Sequence, residues 1–326
     1  MSDLRQDPVS GDWIIIAAER GNRPRETPKK SPRKPTPKNK CPFENLEKSG
    51  NGPVILRYPA TGDWRAVIVP NKYPAVVHKN VCATEFYNGF YRMKDGIGRH
   101  EILITRDHEK NIAHLTLKDG LEAFVLLQER YRAFVLDECL EYASTFFNWG
   151  FSAGASMYHP HFQIIALPIL PPDVAHSLYG ALRYFEKNKR CVHCDILRHE
   201  LKLGVRIVAE DENALAIAPF VSRSPYEVRI FPKKHLPFFE IMSESELQSV
   251  VVILQKVLRQ MEKKLNDPDL NFFIHTAPIR DQEDHRYYHW HLEILPKITS
   301  VAGFELGTGV DINVVNPDAA AKTLRK

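Results

Sequence analysis

The feature that most constrains this chain is that its motifs occur twice, in the same order. The first half runs "CPFENL" (41–46), "HEILITRDH" (100–108), a helical pattern, "FFNWG" (146–150) and "YHPHFQIIALP" (158–168). The second half runs "CVHCDIL" (191–197), "YEVRIFPKKH" (226–235), a helical pattern, "FFIHTAP" (272–278) and "YHWHLEILP" (288–296). Matched pairs in one order point to a tandem duplication. Helix starts sharpen the register. Thr116 with Asp119 and Ser243 with Glu246 each read as a capping box, eight residues after His108 and His235 respectively. After the second cap, Leu247, Val250, Val251, Leu254, Leu258 and Met261 keep to one helical face. "EILIT", "QIIAL", "EVRIF" and "LEIL" are branched-residue strands. Each half therefore reads as an α+β unit, helices packed on an antiparallel sheet, with a closing strand that begins His-x-His. The halves are expected to divide at 1–180 and 181–326.

Bulk properties narrow the classes. A chain of 326 residues with 44% apolar and 26% charged residues is an ordinary globular composition, of roughly two domains' length. The net charge of +4 is local: residues 23–40, "RPRETPKKSPRKPTPKNK", hold eight Lys and Arg against one Glu, with five prolines. That run reads as a mobile surface loop, with an anion-attracting flap and a nucleic-acid tail as rival readings. The rest of the chain is slightly acidic, so charge does not argue for nucleic acid. No stretch of about 20 apolar residues predicts a membrane span, and "MSDLRQDPVSGDW" is neither a signal nor a transit peptide. Five cysteines, an odd number, suggest no disulfide framework and fit a reducing cytoplasm. Cys82 and Cys139 have no partner by repeat register and are expected to be ordinary thiols.

The repeat also marks metal candidates. Cys191 and Cys194, with His235 and His289 at repeat positions, make a tetrahedral thiolate–imidazole set suited to Zn²⁺. A redox Cys-x-x-Cys pair is the alternative, without a thioredoxin-like context around it. Cys41, Glu44, His108 and His159 occupy the matching first-half positions, with Glu44 in place of the second cysteine. A carboxylate still ligates zinc, but the harder set is weaker and open to iron; the bland reading is a degenerate site held by hydrogen bonds. His114, the rival to His108, has no counterpart and is expected to be structural or exposed.

With His159 on the metal, His161 is left over. Along an extended chain His159, His161 and Gln163 share one face, and polar groups there need partners. The preceding loop of small residues, "SAGAS" (152–156), lets backbone N–H groups approach phosphate oxygens. A neutral imidazole beside such a loop suits attack on phosphorus, giving a phosphoramidate that hands its group to a second acceptor. Gln163 would donate amide hydrogens to a phosphoryl oxygen. A satisfied core histidine is the bland alternative. In the second half His291 and Glu293 take these positions without the small-residue loop, so one copy is expected to be active and one structural.

At "HPHFQ" (159–163) the sequence resembles the galactose-1-phosphate uridylyltransferase family, a duplicated branch of the histidine-triad superfamily, and within it the branch of the ADP-glucose phosphorylases. "SAGASM", "IHTAP" and "GFELGTG…INVVNP" (303–316) carry the likeness to that branch, and it extends from "DPVSGDW" (7–13) to the C-terminus. The resemblance implies a tandem duplication of a histidine-triad-like unit. It also implies ping-pong nucleotidyl transfer between a sugar nucleotide and a sugar 1-phosphate, or inorganic phosphate in the phosphorylases. His161 would be the nucleophile and Gln163 its phosphate contact, with Cys41, His108 and His159 on metal positions. It further implies phosphate contacts from Arg20 and Arg23, nucleotide or phosphate contacts from Asn71, Asn148, Gly154 and Ser156, and a sugar contact from Glu305 across a homodimer. Lys72 stands where bacterial-type uridylyltransferases carry an acidic residue, and Phe304 replaces a tyrosine. Two rival functions are a histidine-triad hydrolase, against which Gln163 in place of a third histidine argues, and a zinc-stabilised nucleic-acid module built on 23–40. No membrane or nucleic-acid partner is expected.

Overall fold

A computed structural model describes residues 2–22 and 33–326. Arg23 and most of the basic run lie outside the described residues. The strands are β1 (Asp3–Gln6), β2 (Trp13–Ile16), β3 (Leu56–Tyr58), β4 (Ala66–Pro70), β5 (Glu85–Asn88), β6 (Tyr91–Lys94), β7 (Arg99–Thr105), β8 (Tyr142–Trp149), β9 (His161–Leu167), β10 (Ile207–Glu210), β11 (Ala214–Ile217), β12 (Val228–Pro232), β13 (Leu270–His275), β14 (His291–Pro296) and β15 (Ile312–Asn313). The helices are α1 (Leu46–Ser49), α2 (Leu117–Val135), α3 (Pro172–Asn188), α4 (Val192–Leu203), α5 (Glu244–Lys264), α6 (Gly303–Thr308) and α7 (Pro317–Arg325).

Ten strands form one antiparallel sheet in the order β10-β11-β12-β14-β13-β8-β9-β7-β4-β3. Read outward from the seam between β13 and β8, the two arms mirror one another: β13-β14-β12-β11-β10 on one side, β8-β9-β7-β4-β3 on the other. This is the α+β duplication expected from the repeated motifs. The Phe-Phe pairs meet at the seam, where Phe272 lies opposite Phe147 and Phe273 opposite Phe146, and the Phe147 and Phe272 rings stack 4.9 Å apart. The boundary expected at 180/181 falls within α3, while the sheet runs unbroken across the join.

The second expected capping box forms in full and the first only in its forward half. Thr116 Oγ1 accepts from the Asp119 N–H, and Ser243 and Glu246 make the reciprocal capping box. All six stripe residues of α5 are buried, each stabilising the fold by about 1.5–3 kcal/mol before ordering costs. Helices α2 and α5 share one face of the sheet, where Phe147, Phe162, Phe272 and Leu292 contribute to the main core. On the other face, segment 41–46 and Trp64 pack over Val67, Val69, Ile102 and Ile104 in the first arm. Residues 144, 146 and 148 of β8, with 271 and 273 of β13, alternate toward that face and stay half-buried.

One expectation fails outright. Cys82 and Cys139 are joined by a disulfide, with Cα atoms 4.8 Å apart. The bond links the segment before the β5–β6 hairpin to the turn after α2. Neither position belongs to the repeat, so repeat register could not pair them. No helix among the described residues is long and apolar enough to cross a membrane.

Candidate active site

Folding brings both metal sets together. The ligand atoms of Cys191, Cys194, His235 and His289 lie within 4.8 Å of one another, as do those of Cys41, His108 and His159. Glu44 joins the first set: its Oε1 is 3.0 Å from His108 Nδ1 and 3.7 Å from His159 Nδ1. The two sites share one design. His108 and His159 donate from Nε2 to the carbonyls of Thr36 (2.6 Å) and Thr105 (2.7 Å). His235 and His289 donate from Nε2 to the carbonyls of Arg286 (2.9 Å) and Pro232 (3.0 Å). A carbonyl only accepts, so each neutral ring keeps its lone pair on Nδ1, facing the thiols and Glu44. In the first site this sets a carboxylate oxygen against an imidazole lone pair, acceptor to acceptor at 3.0 Å. A cation between them resolves the clash, so the residues fit a metal. In the second site the hydrogen bond shared with Cys194 holds the Cys191 thiol far below its usual range against the effect of burial, and it pushes Cys194 up. His114 stays outside, exposed and paired with Glu262 at 2.5 Å.

His161 opens β9 and is 9% exposed. Its Nδ1 donates to the His159 carbonyl at 3.0 Å, so the lone pair sits on Nε2, which has no hydrogen-bond partner among the described residues. Burial pushes its pKa below the ordinary imidazole value against the pull of that carbonyl. The ring is in edge contact with Phe43, 5.1 Å between centroids, and is absent from the cluster of ligand atoms. The ring is oriented by one hydrogen bond and lies outside the cluster of candidate ligand atoms.

The remaining expected residues divide into two groups. Gln163 faces the same side of β9, opposite Phe146. One residue beyond the Phe147–Phe162 pair, β8 carries Asn148 beside His161. Asn71 lies within the same polar cluster, 3.0 Å from His100, which also meets Gln163. Gly154, with φ +84°, ends a short turn whose Cβ position would lie 3.8 Å from Asn148 Nδ2, and Ser156 follows, exposed. Asn148 and Glu305 line one cavity of about 480 Å³, together with Arg223, Asn271, Lys297 and Asp311. Arg20 does not join them: it lies exposed in the 3-10 turn Ala18–Asn22, and no contact among the described residues connects it to His161. Lys72 donates to the Ser49 carbonyl at 2.8 Å.

Three residues were not foreseen. Asn271 donates from Nδ2 to Asn148 Oδ1 (2.7 Å) and to the Ala153 carbonyl (2.8 Å). Pairing the two Phe-Phe motifs antiparallel would have matched Asn148 with Asn271. Asp269 accepts from the Ser152 N–H (2.9 Å), Ser152 Oγ (2.7 Å) and Arg33 Nε (3.1 Å), clamping the small-residue loop. His100 stands two residues before Ile102, which pairs with Gln163 across β7 and β9.

The second copy is closed. His291 is 3% exposed, stacked on Phe231 with centroids 4.8 Å apart and flanked by His193 and His275. Glu293 pairs with Arg223, Arg229 and His275. Burial would raise its carboxyl, but the Arg223 and Arg229 guanidiniums and a hydrogen bond with His275 hold it well below the usual range. Asp7, from the turn after β1, reaches Arg229 at 3.8 Å. A fixed carboxylate therefore stands where Gln163 stands in the first copy, a position hostile to phosphate.

A duplicated α+β sheet, two Cys/His sets and one uncoordinated imidazole define the architecture of a nucleotidyl-transferring enzyme. Comparisons agree. The model for "Galactose-1-phosphate uridyl transferase, C-terminal domain" matches residues 180–312, and that for "Ap4A phosphorylase N-terminal domain" matches 95–183. The sequence is 33% identical to an ADP-glucose phosphorylase of Arabidopsis thaliana, over 99% of this chain and 92% of that protein. It is 28% identical to a galactose-1-phosphate uridylyltransferase of Thermotoga maritima, over 100% and 98%. Among solved structures, an ADP-glucose phosphorylase from Arabidopsis thaliana with bound ADP-glucose superposes with a TM-score of 0.86 at 29% identity, covering 100% of this chain and 99% of that one. A uridylyltransferase superposes with a TM-score of 0.75 at 25% identity, covering 100% and 97%. The chain belongs to the galactose-1-phosphate uridylyltransferase family.

Proposed function

We propose that this protein transfers a nucleoside monophosphate from a sugar nucleotide to a second phosphate acceptor through a covalent intermediate on His161. The single observation that carries the reading is the His161 ring: Nδ1 donates to the His159 carbonyl at 3.0 Å, which directs the lone pair of a neutral imidazole through Nε2. In the forward half-reaction Nε2 attacks the α-phosphorus, the bond to the bridging oxygen breaks, and sugar 1-phosphate leaves. In the return half, an acceptor phosphate oxygen attacks the same phosphorus and the P–N bond breaks, restoring the imidazole. Gln163, Asn71 and Asn148 supply amide donors for the charge that develops on the phosphoryl oxygens. Gly154 and Ser156 belong to the loop that receives the phosphates, and Glu305 to the sugar end. Arg20 and Arg23 are assigned phosphate contacts by their place in the family motif; Arg20 makes no contact with His161 among the described residues.

With UDP-glucose as donor and galactose 1-phosphate as acceptor, the enzyme is a galactose-1-phosphate uridylyltransferase. A second reading, an ADP- or UDP-sugar phosphorylase that uses inorganic phosphate, is favoured by the 33% identity to the Arabidopsis ADP-glucose phosphorylase. Zn²⁺ is the metal we assign to both sets, Cys41, Glu44, His108 and His159 in one and Cys191, Cys194, His235 and His289 in the other. When bound it ties distant chain segments together and fixes the His159 end of the His-Pro-His segment. The first half, 1–180, then carries the chemistry; the second, 181–326, carries the other metal and the sugar-recognising tail. A cytoplasmic location belongs to the same reading: Cys41, Cys191 and Cys194 are free thiols. The Cys82–Cys139 bond is the feature a reducing compartment opposes, and its redox state in freshly lysed cells tests the location.

The test is an alkaline quench after incubation with radiolabelled UDP-glucose or ADP-glucose. An acid-labile nucleotidyl adduct, lost in His161→Ala, is the expected result. No adduct with either donor overturns the mechanism. Chasing the adduct with galactose 1-phosphate or with inorganic phosphate then separates the two acceptors. Release of free nucleotide without either acceptor indicates a hydrolase.

A further inference from the structure

We propose that His100 is a positioning residue that selects which end of the Gln163 amide faces the reacting phosphate; the proposal rests on the transfer reaction through His161. Proton accounting supports it. The Ala75 N–H, which can only donate, points at His100 Nδ1 across 2.9 Å. That nitrogen must accept, so the proton of the neutral ring is on Nε2. His100 Nε2 lies 3.0 Å from Gln163 Oε1, and with its proton it donates there. The Gln163 amine is thereby turned away from His100, and it has no hydrogen-bond partner among the described residues.

Asn71 is oriented by the same logic. Its Oδ1 accepts from the Tyr73 N–H at 2.9 Å, so the group 3.0 Å from His100 Nε2 is its amine. That leaves the Asn71 amine and the His100 Nε2–H donor against donor at 3.0 Å, a contact that an anion accepting from the amine would relieve. The opposite arrangement, both amides donating to an unprotonated Nε2, would move the ring proton to Nδ1 and face it against the Ala75 N–H. One imidazole therefore leaves two amide donors, Gln163 and Asn71, for an anion in the groove. Gln163 sits two residues along the same face of β9 from His161, about 7 Å in Cα position, within reach of a phosphoryl group on Nε2. His100 itself touches no reacting atom. It lies outside both metal sets.

Two substitutions separate its contacts. In His100→Asn the side-chain oxygen can replace Nδ1 as the acceptor for Ala75, but nothing replaces the donor to Gln163. In His100→Gln the amide nitrogen can reach Gln163 Oε1, and the Ala75 contact is lost. Single-turnover formation of the nucleotidyl enzyme from labelled ADP-glucose and UDP-glucose is measured for both variants, Gln163→Ala and His100→Asn/Gln163→Ala, with melting temperature and bound metal as folding controls. We expect His100→Asn to slow the step by about 10–100-fold with donor Kd within 3-fold, His100→Gln to stay near wild type, and the double variant to be no slower than Gln163→Ala. A wild-type rate for His100→Asn, or an equal further loss on the Gln163→Ala background, overturns the proposal. Ring ¹⁵N shifts of histidine-labelled protein give an independent reading: the Nε2–H tautomer is expected, and an Nδ1–H ring refutes the assignment. Failure of the wild type to form any adduct would count against the transfer reaction, and the tautomer would then decide the orientation alone.

Discussion

Replacing Asp269 by Asn is an isosteric test of whether one half holds the other half's phosphate loop. Asp269 precedes β13 in the second half, yet it receives three donors from the first: the N–H and Oγ of Ser152 and Nε of Arg33. The carboxylate is 15% exposed. Close packing leaves no slack, since a Cβ at Gly150 would sit 1.9 Å from Asp269 Oδ1. An asparagine keeps one oxygen, so whichever way it turns, its amine faces either the Ser152 N–H or the Arg33 guanidinium. The cost is one charge-assisted hydrogen bond plus a donor left against a donor, about 2–4 kcal/mol. For a cooperative chain of this length that corresponds to a fall in Tm of about 3–6 °C. If the loop opens locally instead, amide exchange over 150–156 rises by the matching factor of about 30–1,000, and the donor nucleotide binds more weakly. Calorimetry, hydrogen exchange by mass spectrometry and nucleotide titration read the three quantities. A variant with Tm within 1 °C, unchanged exchange over 150–156 and nucleotide affinity within 2-fold would refute the clamp.

Further outcomes follow from other parts of the molecule. Burial lowers the His161 pKa, and the proposed nucleophile is its neutral form. Nucleotidyl-enzyme formation should therefore stay level as pH falls past the ordinary imidazole midpoint of about 6.5 and decline only below it; a decline centred above that midpoint would contradict the desolvated ring. The Cys82–Cys139 bond spans a sequence separation of 57, for which loop-closure entropy gives about 4 kcal/mol. Under oxidising conditions Cys139→Ser should lose stability of that order in urea, and the difference should vanish in reductant. Metal should pass from the protein to a chelator in two phases, faster from the first set because Glu44 replaces a thiolate, and Glu44→Cys should slow that phase; a single phase in the wild type would count against two unequal sites.

Much of this was legible because the duplication encodes distance. Motif order and helix caps were enough to bring Cys191, Cys194, His235 and His289 into one cluster and Cys41, His108 and His159 into another. The same spacing left His161 outside the ligand set. Residues whose role depends on cross-strand register were harder to see. His100 reaches Gln163 only because β7 and β9 pair as they do, and Asp269 meets Ser152 only because the loop after β8 folds over the start of β13. Nothing local marks either one. The Cys82–Cys139 pair escaped for a related reason: it joins positions the repeat does not copy, so cysteine arithmetic had no register to work with. The closed state of the second copy was half visible, in the missing small-residue loop. The arginines that fix Glu293 come from β12 and the loop before it, which are distant in sequence.

The antiparallel seam between β8 and β13 carries its own corollary for cutting the polypeptide. Nicked near residue 180, either fragment would expose a full-length strand with unmatched amides and carbonyls and a bare phenylalanine ring beside them. Such an edge invites another chain, so the fragments should reassemble with each other or stack into larger aggregates. In this fold the natural partner of each half is already covalently attached.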